Sequence, residues 1–92
     1  MSYQTIEEYF TQFPDDVEVI QVIFISDYLP DLSRFYKLKT LECNNNKLTY
    51  LPLLPSSLKT LDCSYNTLTY LPLLPSTLEE LYCNYNHLTY LP

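Results

Sequence analysis

Three cysteines recur along the chain at a spacing of 20 residues: Cys43, Cys63 and Cys83. Thiolates in such a series could hold zinc or form a redox pair. Metal sites, however, use close pairs such as CxxC together with histidine, and a third or fourth ligand is lacking here. Free cysteine is also among the most buried residue types. We therefore interpret the cysteines as a column of small buried side chains, and predict neither a metal nor a cofactor.

Residues that could catalyse a reaction are scarce. His87 is the single histidine, and it stands where earlier copies of the same pattern have Lys47 and Thr67. No nucleophile has a neighbouring base, and no pair of carboxylates has the spacing of an acid and a base. The sequence contains no glycine, which excludes the glycine-rich loops that hold phosphates. The sequence therefore predicts that the chain is not an enzyme.

A 20-residue repeat organises most of the chain. Residues 38–57 read LKTLECNNNKLTYLPLLPSS, residues 58–77 read LKTLDCSYNTLTYLPLLPST, and residues 78–92 read LEELYCNYNHLTYLP. A period without slippage indicates an array in which each unit buries its apolar face against its neighbours.

The spacing within one unit predicts its geometry. Leu38, Leu41 and Cys43 face one side of a short strand and its exit turn. The return segment cannot be an α-helix, because Pro52 and Pro55 would break it, and polyproline-like backbone is favoured there. Successive strands then stack in parallel. The predicted fold class is an α/β repeat: a solenoid with a short parallel sheet on its concave side and an extended convex side.

Asparagines form a second column at Asn46, Asn66 and Asn86. Buried side-chain amides must be hydrogen-bonded, and stacked asparagines can satisfy backbone groups of neighbouring loops. We predict this structural role for all three, and Asp27 could contribute to the same column as an acceptor only.

Residues 1–18 are predicted to form an N-terminal helical cap. Thr5 and Glu8 fit a capping box, and an apolar stripe over residues 6–13 ends at Pro14, so a helix is expected over residues 4–13. Such a helix would shield the first edge of the sheet.

Residues 19–37 are predicted to be a degenerate first repeat, followed by two full repeats and one partial repeat over residues 38–92. The alignment at a spacing of 19 pairs Val19 with Leu38, Val22 with Leu41 and Phe24 with Cys43; it also pairs Asp27 with Asn46, Leu29 with Leu48 and Leu32 with Leu51. The strand-like run itself extends over residues 17–25.

Residues 38–92, and more loosely residues 19–37, resemble the short leucine-rich repeats with LPxLP on the convex side that occur in secreted bacterial effectors. The cysteine after the second leucine, with tyrosine and asparagine nearby, resembles repeats encoded by giant viruses of amoebae. The resemblance implies a binding scaffold. Effector relatives of the ligase type carry a separate domain with a Cys-x-Asp motif, which nothing here matches, since Asp62 and Cys63 stand in the reverse order.

The charge of the chain is unevenly distributed. The net charge is −6, and seven acids precede the first base, Arg34. Nucleic acids and anionic lipids require clustered lysine and arginine, so neither is predicted as a partner. The N-terminus lacks a basic secretory segment, and the apolar run over residues 17–25 is too short to span a membrane. We predict a cytoplasmic protein, in the host-cell cytosol if it derives from a virus or an effector.

Outward-facing residues of the strands vary between repeats and carry the predicted function. Mixed charge flanked by tyrosine and asparagine is typical of an adaptable protein-binding surface. The predicted partner-binding residues are Lys39, Glu42, Asn45, Lys59, Asp62, Tyr65, Glu80, Tyr82 and Tyr85. We predict a scaffold for protein–protein interaction.

The last repeat suggests an alternative function. Repeat arrays need terminal caps, and Leu78, Leu81, Leu88 and Leu91 would be covered on one side only. Either further repeats cover them in a longer array, or two copies stack end to end as a homodimer about a two-fold axis. The alternative function is therefore a structural module that assembles with itself.

Overall fold

The computed structural model describes residues 2–89 and contains one short helix and four short strands in this range. In chain order they are α1 (Ile6–Phe10), β1 (Val19–Gln21), β2 (Thr40–Glu42), β3 (Thr60–Asp62) and β4 (Glu80–Tyr82).

The four strands form one parallel sheet in the order β1-β2-β3-β4. The register aligns Leu41 of β2 with Leu61 of β3 and Leu81 of β4, so the sequence period sets the pairing. Within the described residues, the segments that connect the strands contain neither helix nor strand. The parallel sheet and the return without a helix were both predicted, the latter from the prolines.

The core follows the central residue of each strand. Ile20, Leu41 and Leu61 are fully buried, whereas Leu81 in β4 is only half-buried. The predicted burial of the cysteines is confirmed for Cys43 and Cys63, which join the same apolar cluster. Each copy of the 20-residue pattern thus adds leucines and a cysteine side chain to one continuous core. The hydrophobic effect therefore stabilises the stack of repeats and not any single turn.

Helix α1 is shorter than the predicted helix over residues 4–13. The Oγ1 atom of Thr5 accepts a hydrogen bond of 3.1 Å from the Glu8 N–H, which confirms the N-cap. The helix ends at Phe10, with Ile6 and Tyr9 also buried, and residues 11–13 form a turn before Pro14. Among the described residues, no helix has the length and apolar character that crossing a membrane requires.

The alignment predicted for the first repeat was wrong in its strand. The register pairs Ile20 with Leu41, and Val22 N–H donates to the next strand as Cys43 N–H does, so the spacing there is 21. Val19, predicted to be the counterpart of Leu38, is 54% exposed. Residues 17–25 place apolar side chains on both faces of the strand, so the strand can bury an apolar set even when its pairing shifts by one position. Burial of Ile20 and Val22 together selects the observed register.

The loop after β1 also departs from the alignment. Asp27 is exposed, and within the described residues its side chain makes none of the hydrogen bonds that the asparagine column makes. The N–H that donates to Asn46 Oδ1 belongs to Ser26 instead. Farther along, Leu29 and Leu32 are buried like Leu48 and Leu51, as the spacing of 19 predicted.

Candidate interaction surface

The face of the sheet opposite the core carries four of the nine predicted partner-binding residues, and the other five lie just before or just after the strands. Side chains alternate along each strand, so the residues on either side of the central leucine point away from the core. We call this surface the exposed face and define it by Val19, Gln21, Thr40, Glu42, Thr60, Asp62, Glu80 and Tyr82. Glu42, Asp62 and Tyr82 are register partners in three neighbouring strands.

Lys39 and Lys59 lie just before β2 and β3, at one end of the exposed face. Their ammonium groups lie 3.9 Å from the carboxylates of Glu18 and Glu79, respectively. These pairs are half exposed, so they contribute little to stability. Their main effect is on the charge of the surface, because each lysine charge is balanced by a carboxylate that lies just before a neighbouring strand.

The carboxylates of Glu42, Asp62 and Glu80 have no such balance. Among the described residues, none of them lies within 4 Å of a basic group. Glu80 accepts hydrogen bonds from the Tyr82 hydroxyl at 2.9 Å and from Thr60 Oγ1 at 3.3 Å. The hydrogen bond to Glu80, with the nearby carboxylate charges, raises the pKa of Tyr82. This part of the exposed face is therefore electronegative.

Asn45, Tyr65 and Tyr85 occupy equivalent positions after their strands, and all three have left-handed backbone. Their φ angles are 57°, 58° and 58°. Asparagine adopts this conformation readily, whereas tyrosine does so at a cost. The conformation lets Asn45 N–H donate to Ser64 O and Tyr65 N–H donate to Asn84 O, at 3.0 and 2.9 Å. The sheet-like hydrogen bonding therefore continues beyond the strands.

The rings of Tyr65 and Tyr85 stack on each other. Their centroids are 4.5 Å apart and their planes differ by 11°. Both residues are exposed, at 52% and 71%. The pair forms an aromatic platform in solvent at the end of β3 and β4, three residues beyond Asp62 and Tyr82.

The asparagine column fixes the loops that carry this platform. Asn66 Nδ2 donates to Cys43 O, Cys63 O and Ser64 O at 3.0–3.2 Å, and Asn66 Oδ1 accepts from Leu48 N–H at 3.0 Å. Asn46 and Asn86 make equivalent bonds to backbone groups of their own and the preceding repeat. The predicted structural role of all three asparagines is confirmed.

Residues 57–76 match the family model described as Leucine Rich Repeat. This segment is a leucine-rich repeat. The matched residues contain β3 and nearly all of the second full copy of the 20-residue pattern, and the four-stranded parallel sheet fits the fold of such repeats. A comparison with curated proteins finds no match, and neither does a comparison with solved structures.

Ile23 and Ile25 also border the exposed face, although the sequence analysis did not select them. They are 77% and 63% exposed, and they line a shallow depression with Gln21, Val22, Asn44 and Asn45. The later copies of the 20-residue pattern carry asparagine, serine or tyrosine in this part of the unit, so the apolar residues of the first copy could have been recognised from the sequence. This signal was not recognised because the first strand was aligned incorrectly with the later repeats.

Three of the four predicted self-association residues lie on the outer side of the last described repeat. Leu78, Leu81 and Leu88 are half-buried, and Leu91 lies outside the described residues. Leu78 and Leu81 line a second shallow depression with Leu74, Pro75, Glu79 and Glu80. Within residues 2–89, β4 pairs with β3 only. This side therefore combines partly exposed leucines with a strand edge.

Proposed function

We propose that this leucine-rich-repeat chain is a non-catalytic protein-interaction module. In this proposal the strands line the concave wall of a solenoid, and a protein partner lies on the exposed face and on the tyrosines beside it. Leucine-rich repeats generally mediate protein–protein interaction, which supports the class of function. Nucleic acid and membrane surfaces are not proposed as partners, because the net charge is −6 and lysines and arginines are not clustered.

The aromatic platform is the observation that carries the proposal. Left-handed backbone costs an ordinary residue about 1–2 kcal/mol, yet the chain places tyrosine at two of these three positions. The rings are exposed, so burial in the core does not offset that cost. Exposed tyrosine is enriched at protein interfaces, where it supplies rigid contact area with few rotatable bonds.

The proposal assigns residues 1–18 the role of an N-terminal cap. The Tyr9 hydroxyl donates to Gln21 O at 2.8 Å and accepts from Ile23 N–H at 3.2 Å. Arg34 holds α1 in place by donating to Phe10 O and Phe13 O and by pairing with Asp15. The Tyr9 side chain thus occupies backbone groups at the free edge of β1. This contact supports a capping role, because exposed strand edges promote unwanted pairing.

The proposed compartment is the cytosol. Cys43, Cys63 and Cys83 are free thiols in adjacent repeats, and reduced thiols persist in the cytosol. The likeness of the repeats to those of bacterial effectors and giant viruses favours the cytosol of a host cell. Alkylation of all three thiols in protein taken directly from cells and then denatured would support this compartment, whereas an oxidised fraction would oppose it.

An affinity-capture experiment tests the interaction module. Wild-type chain, Tyr65→Asn/Tyr85→Asn and Leu53→Ser/Leu73→Ser are immobilised, and the proteins that each retains are quantified. The tyrosine variant copies the residue that the chain itself uses at position 45, so the backbone is kept and the rings are removed. The leucines are 81% and 84% exposed in segments between strands, which makes that variant a matched control.

The expected result is a protein retained by the wild type and by the leucine variant and lost from the tyrosine variant. A partner that is retained equally by all three proteins would show that binding does not depend on the aromatic platform, and it would refute the proposed interaction module. Circular dichroism of each variant shows whether the fold is preserved, so that loss of binding is separated from loss of structure.

The second candidate function is self-assembly through the outer side of β4. The half-buried Leu78, Leu81 and Leu88 and the edge of β4 support it. Light scattering from micromolar to near-millimolar concentration tests it. A dimer that Leu88→Lys/Leu91→Lys converts to a monomer is expected, while a monomeric wild type throughout this range would refute it.

A further inference from the structure

We propose that the partner contributes an extended basic segment, bearing arginine or lysine, that lies across the strands on the exposed face. This inference rests on the proposed interaction module and specifies the chemistry of what binds there. The segment places its cationic side chains against Glu42, Asp62 and Glu80 and against the platform of Tyr65 and Tyr85.

The charges of the exposed face give the first argument. Glu42 and Asp62 are register partners, and neighbouring strands lie about 4.8 Å apart. Like charges that oppose each other in a sheet destabilise it. The nearest lysines of these strands, Lys39 and Lys59, are already paired with Glu18 and Glu79. A cation from another molecule therefore relieves repulsion that the described residues leave in place.

The carboxylate of Glu80 extends this electronegative region to β4. Its oxygens accept from Thr60 Oγ1 and from the Tyr82 hydroxyl, which holds the carboxylate over the face. The pKa of Tyr82 is raised, first by its hydrogen bond to Glu80 and also by the charges of Glu80 and Asp62. The same field that disfavours a phenolate attracts an ammonium or guanidinium group.

The tyrosine platform gives the second argument. A guanidinium or ammonium group is attracted to the face of an aromatic ring within about 6 Å of its centre. Tyr65 follows Asp62 by three residues, so the Cα atoms of these two residues lie at most about 11 Å apart. The stacked pair with Tyr85 holds the ring in place. One basic side chain can therefore lie on a ring while the next reaches a carboxylate.

The dimensions of the surface define the segment. Four strands about 4.8 Å apart extend over roughly 14 Å, which matches four or five residues of extended chain. Ile23 and Ile25 lie at the far end of the row of turns that holds the tyrosines, and they offer apolar contact. A second copy of this chain fits poorly as the occupant, because it has 11 acids against five bases.

Calorimetric titration of the full chain with synthetic peptides tests the inference. The probe is a nine-residue peptide that alternates arginine with threonine, and its control replaces each arginine with uncharged citrulline. The site variant is Glu42→Gln/Asp62→Asn/Glu80→Gln. Its matched control is Glu8→Gln/Asp16→Asn/Asp27→Asn, which removes the same charge from exposed acids elsewhere.

We expect the arginine peptide to bind the wild type and the matched control with similar affinity. Binding to the site variant should be at least tenfold weaker, and binding of the citrulline peptide to the wild type should weaken equally. Tyr65→Asn/Tyr85→Asn should also reduce affinity, by about threefold or more. Equal loss in both charge variants would reveal diffuse attraction to a net-negative protein and would overturn the inference.

The outcomes separate this inference from the function on which it rests. If a captured protein requires the tyrosines but the arginine peptide binds no better than the citrulline peptide, the interaction module stands and the basic segment is refuted. If capture is insensitive to the tyrosines, the interaction module itself fails. Binding of the citrulline peptide as tightly as the arginine peptide also refutes the cationic requirement.

Discussion

The side-chain oxygen of Asn66 accepts a hydrogen bond of 3.0 Å from the backbone N–H of Leu48, 18 residues earlier. The amide nitrogen of Asn66 donates to Cys43 O in the same preceding repeat and to Cys63 O in its own. Asn66 is 5% exposed, so these backbone groups have little access to water. One side chain thus ties two consecutive repeats together at the turns that carry the candidate interaction surface.

Replacing Asn66 with alanine should strongly destabilise the chain. The change leaves the Leu48 N–H without its acceptor and removes one of the donors to Cys43 O, Cys63 O and Ser64 O. Leaving a buried N–H unsatisfied costs about 1–3 kcal/mol. The measurement is the free energy of unfolding from urea denaturation of Asn66→Ala and wild type.

Asn46→Ala is the matched comparison. Asn46 is half-buried, and its two donor hydrogen bonds are longer, at 3.4 Å. We expect its loss to cost less than half as much as that of Asn66. Equal destabilisation by the two substitutions would mean that loop packing, and not hydrogen bonding, sets the contribution of the column.

Replacing Tyr9 with phenylalanine should loosen the free edge of β1. The hydroxyl bonds both Gln21 O and Ile23 N–H, and losing it should cost about 1–2 kcal/mol. Hydrogen exchange measured by NMR should become faster at the Ile23 amide than at the Cys43 amide, which remains paired with Asp62 O.

Tyr28→Phe is the control for this substitution. The Tyr28 hydroxyl donates to Glu7 Oε2 at the surface, so its removal should change the free energy of unfolding by no more than about 0.5 kcal/mol. Unchanged exchange at Ile23 in Tyr9→Phe would show that the hydroxyl does not protect the edge.

The sequence was informative wherever the repeat is regular. The period of 20 predicted the parallel sheet, the register of Leu41 with Leu61 and the bonding of Asn66. These features depend on residue types that recur at fixed spacing, so they can be derived without coordinates. The same period placed Glu42 beside Asp62 on one face.

The irregular parts were predicted less well, for physical reasons. A strand with apolar residues on both faces does not fix its own register, and Ile20 was missed for that reason. The left-handed backbone of Tyr65 was not predicted, since that conformation is usual for asparagine and glycine. The contacts of Arg34 with the end of α1 join residues more than 18 positions apart, and no local pattern reveals them.

Substitutions at Tyr65 should reveal the strain of its left-handed backbone. Tyr65→Val and Tyr65→Asn both remove the stacking with Tyr85, but only asparagine tolerates a φ angle of 58°. We expect Tyr65→Val to be less stable than Tyr65→Asn by about 1–2 kcal/mol. Thermal and urea unfolding of the two variants measure the difference.

The same two substitutions at Tyr82 provide a control with the opposite sign. Tyr82 lies in β4, where β-branched residues are favoured over asparagine. Tyr82→Val should therefore be at least as stable as Tyr82→Asn. If Tyr65→Val also proved at least as stable as Tyr65→Asn, the backbone at Tyr65 would not be strained.

The buried thiols should make the chain less stable as the pH rises above 9. Burial raises the pKa of Cys63 from 9.0 to about 12, and burial also raises the pKa of Cys43. Between pH 9 and about pH 12 the unfolded chain loses the Cys63 proton while the folded chain keeps it. The contribution of Cys63 to stability is thus complete below pH 9 and is lost as the pH approaches 12, at up to about 1.4 kcal/mol per pH unit.

Comparison with Cys63→Ala isolates this effect from the titration of the tyrosines and lysines, which both proteins share. The alanine variant should be less stable than wild type at pH 8, because it leaves a cavity in the core. Its free energy of unfolding should then fall less steeply from pH 9 to pH 10.5, so the two urea-derived curves should converge. Parallel curves would mean that the Cys63 thiol ionises as easily in the folded chain as in the unfolded one, and that the inner column of cysteines is open to water.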